Sequence, residues 1–403
     1  MIPFSPPRID EKTIAAVTEV LRSGWITTGP KTRELEKKIS DYTSSKKTLC
    51  LNSWTNAAEL ALRWFGIGPG DEVIVPAYTY AATANIVVHL GATPVIVDSS
   101  ANDFNIDIEQ LRQKISSRTK AIIPVDIGGL PVDYDAVMNL LKSEPVRKIF
   151  QPSGEVQSQL GRPLVLSDAA HSFGAKYKNA KAGNQTDISG FSFHAVKNLT
   201  TAEGGALCLN LPQPVDNDAV WQSLNISALH GQTKDAFAKT QAGQWRYDIV
   251  EAGFKCNLTD IHAAIGLVEL ERYDEETLPR RKNICDVYMK AFSNFDWFIA
   301  PTFKDEIRES SYHLFMLRVR DIDEQKRDDI IQTISQKGVS VNVHFQPLPL
   351  LSYYKNLGFD IADFPNAYGH YSCEISLPVY FDLNDEQMKV VIDVVTDSIQ
   401  KHS

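Results

Sequence analysis

Lys197 stands between two runs of core-grade side chains, Ile188 to Phe193 and Gly205 to Leu209, and is followed by the turn-forming residues Asn198, Thr200, Thr201 and Gly204. Lysine belongs at the surface. Held in an apolar pocket it loses proton affinity and becomes a neutral amine that can attack a carbonyl carbon. A lysine paired with a buried acid for structure is the competing explanation, and Lys197 alone does not decide between them. Asp168 ends another apolar run, Leu164 to Ser167. A carboxylate there is costly without a cation, and a protonated ring nitrogen would serve. A helix cap or a metal ligand would explain it equally well. Ser53-Trp54-Thr55-Asn56 follow the run Thr48 to Asn52 and open a helix, whose free N–H groups attract an anion or merely need a cap. Tyr78 and Tyr80 follow the run Glu72 to Pro76 and can cover a flat ring or pack at a domain seam. Taken together, an anion site, an aromatic lid, a buried acid and a buried lysine are what pyridoxal 5′-phosphate requires.

These residues fall at the ends of predicted strands. Short, continuous apolar runs alternate with amphipathic helical stretches from Lys47 to Asp168. Unalternating strands mark a parallel sheet covered on both faces, and strand–helix alternation predicts an open α/β architecture. In such sheets ligands sit beyond the carboxyl ends of the strands. Upstream, Asp10 can cap a helix whose apolar positions Ile14, Val17 and Leu21 recur at helical spacing, ending at Gly24. "GWITTGP" reads as a loop, and a second helix carries Leu35, Ile39 and Tyr42 on one face. Residues 142–163, rich in Pro, Gly, Ser and Gln, read as an excursion loop. The chain divides into a large domain, 1–258, and a smaller α+β domain, 259–403, that starts with one long or kinked helix. Within the latter, "HLFMLRVR" and "VSVNVHF" read as strands.

The chain has 403 residues with 41 Lys and Arg against 50 Asp and Glu, a net charge of −9. That leaves no basic surplus to meet nucleic-acid phosphates. "RRK" at 280–282 reads as a solvated helix face. Five scattered cysteines without a CxxC pair suit reduced thiols in the cytoplasm, with Cys50 and Cys208 as plain core. The start shows no secretory signal pattern, and no apolar run approaches a membrane span. Nine histidines lie without metal-ligand spacing, and GxxxxGK[ST], HExxH and GxSxG are absent. "GIGPGD" precedes a strand and so is a helix-to-strand turn, not a dinucleotide loop.

The order of these motifs, with "SGWITTGP", "LNSWTNAAELAL", "GDEVIVPAYTYAATANIVVHLGATPVIVD", "DAAHSFGAKY", "FSFHAVKNLTTAEGGAL", "FKCNLTDIHAAIGLVEL" and "VNVHF", resembles the sugar aminotransferases of the DegT/DnrJ/EryC1/StrS type over nearly the whole chain. The resemblance implies the aspartate-aminotransferase-like fold (fold-type I), with a seven-stranded, mostly parallel sheet, and pyridoxal 5′-phosphate as cofactor. It implies that Lys197 carries the cofactor, Asp168 pairs with its ring nitrogen, His171 lies near its 3-oxygen and Tyr80 stacks on its ring. Thr55, Asn56 and Ser192 would hold its phosphate, and Asn257 would reach the phosphate of the neighbouring subunit, making a homodimer necessary. Sugar contacts fall to Trp25, Thr28, Trp54, His344 and Phe345, with glutamate as amino donor and 2-oxoglutarate as its product. Within the family the chain looks most like enzymes that aminate the 4-keto group of a UDP-sugar, such as the one forming UDP-4-amino-4-deoxy-arabinose. A C3-aminotransferase on a dTDP-keto-sugar and a cofactor-dependent sugar dehydratase are the alternatives. Related dehydratases carry His where this chain has Lys197. Trp54 stands where many relatives have a small residue, and Asn56 replaces a common Ala.

Overall fold

The computed structural model describes residues 1–233 and 246–402. Its centre is a seven-stranded sheet of β1 (Lys47–Leu51), β2 (Glu72–Pro76), β3 (Thr93–Val97), β4 (Thr119–Ile122), β5 (Leu164–Asp168), β6 (Ile188–Ser192) and β7 (Gly205–Leu209), in the order β1-β7-β6-β5-β4-β2-β3. Only β7 runs antiparallel to its neighbours. The apolar runs are continuous because both faces are covered. In β2, Val73 and Val75 enter one core while Ile74 enters another; in β7, Leu207 and Leu209 part from Ala206 and Cys208 in the same way.

Helices α1 (Glu11–Ser23), α2 (Pro30–Thr43), α3 (Trp54–Trp64), α4 (Ala82–His89), α5 (Ile108–Lys114) and α6 (Tyr134–Lys142) precede β5. Asp10 accepts from the Thr13 N–H, and Gly24 closes α1 at φ 74°, the left-handed conformation that glycine adopts without strain. The apolar stripe expected to face inward on α1 does not: Ile14 and Leu21 are exposed with Ile9 and Ile26, while Thr13 and Val20 are buried. The excursion at 142–163 is also not a loop. Pro145 starts α7 (Glu144–Ile149), and α8 (Glu155–Leu160) ends at left-handed Gly161. Gln157 of α8 is buried and donates to the Phe65 carbonyl at 3.0 Å, which ties the excursion to the end of α3.

Beyond β7 come α9 (Asn217–Ser227), α10 (Asp260–Glu271) and α11 (Leu278–Phe292). A widened, π-type turn, Tyr273–Thr277, joins the last two. Pro279 supplies no N–H there, so the regular helical bond is lost at the junction. The change of core falls at this kink rather than at 258/259. Ala263 and Leu267 of α10 pack with Leu35, Ile39 and Phe193, whereas Ile284, Cys285 and Phe292 of α11 join the second core. That core is built on the sheet β8 (Phe298–Ile299), β9 (Phe315–Val319) and β10 (Glu374–Leu377), covered by α12 (Glu324–Gln336) and α13 (Asp385–His402). Ile2 also belongs to it.

Two further expectations need correction. "VSVNVHF" forms isolated bridges, Val339 with Ile2 and Asn342 with Ser376, and no regular strand. Arg281 is not solvated. It is buried, and its guanidinium donates to the Tyr312 and His313 carbonyls at 3.1 and 2.7 Å, which precede β9 and lack a ladder partner.

Gly190 of β6 faces Trp54 at the start of α3. A Cβ on Gly190 would lie 2.6 Å from the Trp54 indole nitrogen, and the indole is itself buried. The absent side chain in β6 therefore makes room for the large one in α3. Gly190→Ala should lower stability by about 1–3 kcal/mol, the usual range for overpacking. The same change in a Trp54→Val background should cost much less, as a double-mutant cycle of thermal or urea denaturation will read.

Candidate active site

The carboxyl ends of β1, β2, β5 and β6 surround a cleft of about 390 Å³. Ser53, Trp54 and Thr55 enter it from β1 and α3, Thr79, Tyr80 and Thr83 from β2 and α4, Asp168, Ala170 and His171 from β5. Ser192 and Lys197 come from β6 and the loop after it, His313 comes from the segment before β9, and His344 and Phe345 come from the segment beside β10.

The loop carrying Lys197 is closed at its base, where Phe193 N–H donates to Gly204 at 2.8 Å and Thr201 N–H donates to Phe193 at 2.9 Å. Asn198, the next residue, is buried and pinned on three sides. Its amide nitrogen donates to the Ser311 carbonyl at 2.8 Å and to the Tyr273 hydroxyl at 3.2 Å, and its oxygen lies 2.8 Å from His313 Nδ1. Tyr273, in the widened turn, donates onward to the Phe173 carbonyl. The helix kink therefore positions the lysine loop.

Lys197 is half-buried and has no ion pair among the described residues. Desolvation lowers its pKa to about 8, partly opposed by the negative charge of Asp168. Asp168 is buried and raised to about 7, again by desolvation. Thr83 donates to its Oδ2 at 2.8 Å and the Ala170 N–H to its Oδ1 at 3.2 Å, but no cation among the described residues touches it. The His171 ring is tilted against His313 at 4.4 Å and stacks on Phe345 at 5.6 Å. Burial, then the Lys197 charge, drives its pKa well down, and its Nδ1 has no partner among the described residues. The ring is therefore neutral. Burial and the charges of His171 and Lys197 do the same to His313.

The expected site residues separate into two groups. Lys197, Asp168, His171, Ser192, Thr55, Tyr80, Trp54, His344 and Phe345 share the cleft. Tyr80 is 65% exposed at its mouth, near Phe345, whereas Tyr78 is fully buried against Phe104. Asn56 turns away from the cleft, and its amide donates to Asn52 at 2.8 Å. Its backbone N–H is taken by Ser53, the N-cap of α3. Asn257, Thr28 and Trp25 lie outside this cleft and next to one another. Asn257 donates to Thr28 Oγ1 at 2.6 Å, and the Trp25 indole donates to the Thr28 carbonyl. Thr83, Asn198 and His313 belong to the site but escape sequence reasoning. Thr83 sits in the first turn of a helix after a strand, a position that could have been searched, but its bond to Asp168 joins residues 85 apart.

The residues present fit pyridoxal phosphate. Among the described residues a buried carboxyl lacks a cation, an amine of lowered basicity lines the same cleft, and hydroxyls of Thr55 and Ser192 flank the start of an eleven-residue helix.

The family model for the DegT/DnrJ/EryC1/StrS aminotransferase family matches residues 7–150 and 156–396. The chain belongs to that family. It is 36% identical over 406 residues to the spore coat polysaccharide biosynthesis protein SpsC of Bacillus subtilis, covering 99% of this chain and 97% of that protein. Spr1654 of Streptococcus pneumoniae, assigned as a sugar aminotransferase and solved in a PMP-form, superposes with a TM-score of 0.96 at 46% identity, covering 100% of both chains. PseC of Helicobacter pylori, an aminotransferase of pseudoaminic acid biosynthesis, superposes with a TM-score of 0.85 at 28% identity, covering 99% of both.

Asp168 generates a pH prediction for the cofactor-free protein. Its folded pKa lies above its unfolded value, so the folded state holds an extra proton between about pH 4 and about pH 7. Stability contributed at this position falls as pH rises through that window. Asp168→Asn removes the penalty. Scanning calorimetry without cofactor should show a midpoint several degrees higher for the variant at pH 8 and little difference at pH 4.

Proposed function

We propose that the protein is a pyridoxal 5′-phosphate-dependent aminotransferase that moves an amino group from glutamate to the 4-keto carbon of a UDP-linked 2-acetamido-6-deoxy-4-keto-hexose. The product would serve a bacterial surface polysaccharide, and the enzyme would work in the cytoplasm. One observation carries the reading: an amine lowered to about 8 and an uncompensated buried carboxyl open into the same cleft.

The cofactor, when bound, supplies an electron sink and holds the amino group between the two half-reactions. The chain's own residues do the rest. Lys197 Nζ anchors the cofactor, then takes the proton from the amino donor's Cα and returns a proton to the keto-sugar carbon in the reverse direction. Its lowered pKa leaves a usable fraction as free base near neutral pH, which an ordinary lysine at about 10.4 would not. Asp168 holds a proton on the cofactor's ring nitrogen, and the Thr83 hydroxyl fixes the carboxyl's orientation. Neutral His171 would meet the ring's oxygen without adding positive charge. Thr55, Ser192 and the α3 N–H groups hold the phosphate. Tyr80 covers the ring, and Phe345 with His344 lines the sugar side.

Asn257 and Thr28 are proposed to complete the cleft of a second copy in a homodimer, since they pair with each other away from their own. The exposed Ile9, Ile14, Leu21, Ile26, Ile249, Val250 and Phe254 supply apolar surface for that contact. The roles of SpsC in spore coat polysaccharide synthesis and of PseC in pseudoaminic acid synthesis support a surface-sugar product.

Purified protein should absorb at the edge of the visible range and bleach with glutamate, and Lys197→Ala should abolish repeated turnover. UDP- and dTDP-linked 4-keto and 3-keto sugars, each offered with glutamate and read by product NMR, should yield a 4-amino UDP-sugar. A 3-amino product on a dTDP-sugar would replace this substrate with the C3 reading.

A further inference from the structure

We infer that Glu374, Ser376 and His344 form a proton relay into the cleft, and that this relay decides which ring nitrogen of His344 presents a hydrogen to the substrate's keto oxygen. The inference rests on the aminotransferase reading for its substrate, but not for its geometry.

The relay is a consequence of strand periodicity. In β10, Glu-Ile-Ser-Leu, Ile375 and Leu377 enter the second core, so Glu374 and Ser376 point to the opposite face. Both are fully buried. The isolated bridge between Asn342 and Ser376 lays residues 342–345 alongside and brings His344 over Ser376. Ser376 Oγ then lies 2.5 Å from Glu374 Oε1 and 2.9 Å from His344 Nδ1. The His344 backbone N–H donates to the other carboxyl oxygen, Oε2, at 3.0 Å. His344 lines the cleft, and its Nε2 has no protein partner among the described residues.

The charged neighbours are engaged elsewhere. Arg318 of β9 meets His370, and Arg327 of α12 meets Asp328 and the Tyr371 carbonyl. Arg327 reaches Glu374 only at its backbone oxygen. Tyr78 and Cys373 complete the surroundings of the carboxyl. Burial pushes Glu374 up to about 8. On the cleft side His344 faces Lys197, His171 and His313, and burial with the Lys197 charge pulls it down to about 3. The imidazole is therefore neutral and has one ring hydrogen to place.

Two arrangements follow. With Glu374 ionised, the Ser376 hydroxyl donates to it, so Nδ1 must carry the hydrogen that faces Ser376 and Nε2 is bare. With Glu374 protonated, the carboxyl O–H donates to Ser376, the Ser376 hydroxyl donates to Nδ1, and the hydrogen sits on Nε2, facing the cleft. When a keto-sugar is aminated, a carbon–nitrogen bond forms, the carbon–oxygen bond breaks and the oxygen leaves as water. Nε2 lends a proton to that oxygen, Nδ1 takes one from Ser376, and Ser376 takes one from Glu374, which becomes a carboxylate. The incoming amine loses two protons. One completes the water, and the other restores Glu374 by the reverse shift.

The test is nitrogen NMR on cofactor-free protein labelled with ¹⁵N-histidine, with the His344 signals assigned by their loss in His344→Gln. Wild type should carry Nε2–H at about pH 6.5 and Nδ1–H at about pH 9.5, on either side of the Glu374 value. Glu374→Gln should hold Nε2–H throughout, because the His344 backbone N–H claims the amide oxygen and turns the NH₂ group toward Ser376. Ser376→Ala should abolish the pH response. A wild-type ring that keeps one tautomer across the range, or a switch that survives Glu374→Gln, overturns the relay. Neither result touches the aminotransferase reading, which fails separately if no keto-sugar in the panel accepts nitrogen.

Discussion

Everything in the cleft depends on two desolvated groups that do not neutralise each other. Asp168 and Lys197 are close enough to feel one another's charge, and no ion pair joins them. Burial pushes the acid up to about 7 and the amine down to about 8, so both titrate close to physiological pH. Three of the histidines that line the cleft, His171, His313 and His344, are held neutral by the same desolvation. Burial thus lowers the charge these groups carry where a cationic ring and an anionic phosphate would bring their own. A buried carboxyl without a cation costs stability, and the cost is tolerable because a ligand removes it.

The scaffold serves that arrangement at several levels. Parallel strands deliver Asp168 and Ser192 to one edge, and α3 opens there with its N–H groups toward the cleft. The glycine in β6 accepts the indole from α3, so a bulky residue can stand beside the phosphate site without displacing the strand. The break between α10 and α11 places Tyr273 under Asn198. Segments beside β9 and β10 contribute His313 and His344, so the cleft is assembled from both halves of the chain.

The strand–helix alternation, the two-sided sheet and the cleft-forming strand ends were legible because each has a local signature: apolar runs of four or five residues, a cap, a turn. Lys197 and Asp168 stood out as charges in the wrong solvent. What could not be read depends on contacts between distant segments. Arg281 sits in a basic triplet that looks solvated, and only the unpaired carbonyls before β9 explain its burial. Ile14 and Leu21 have helical spacing, but spacing does not say which side of a helix finds a neighbour. Residues 142–163 have loop-like composition, yet a proline start, a glycine stop and one buried glutamine suffice for two short helices. Asn56 and Thr55 are adjacent in a phosphate-like motif, and helix geometry sends them different ways.

The strands flanking Lys197 are neighbours, β6 and β7, joined as a hairpin rather than by a crossover. Its ends are locked in register, and Asn198 is clamped beside the lysine. The backbone under the amine is therefore a fixed post. Nζ can travel only by turning about the bonds of its own side chain, a radius of a few ångströms. Each reacting carbon must be carried into that radius, so selection among sugars falls to the walls that steer them, and not to the lysine.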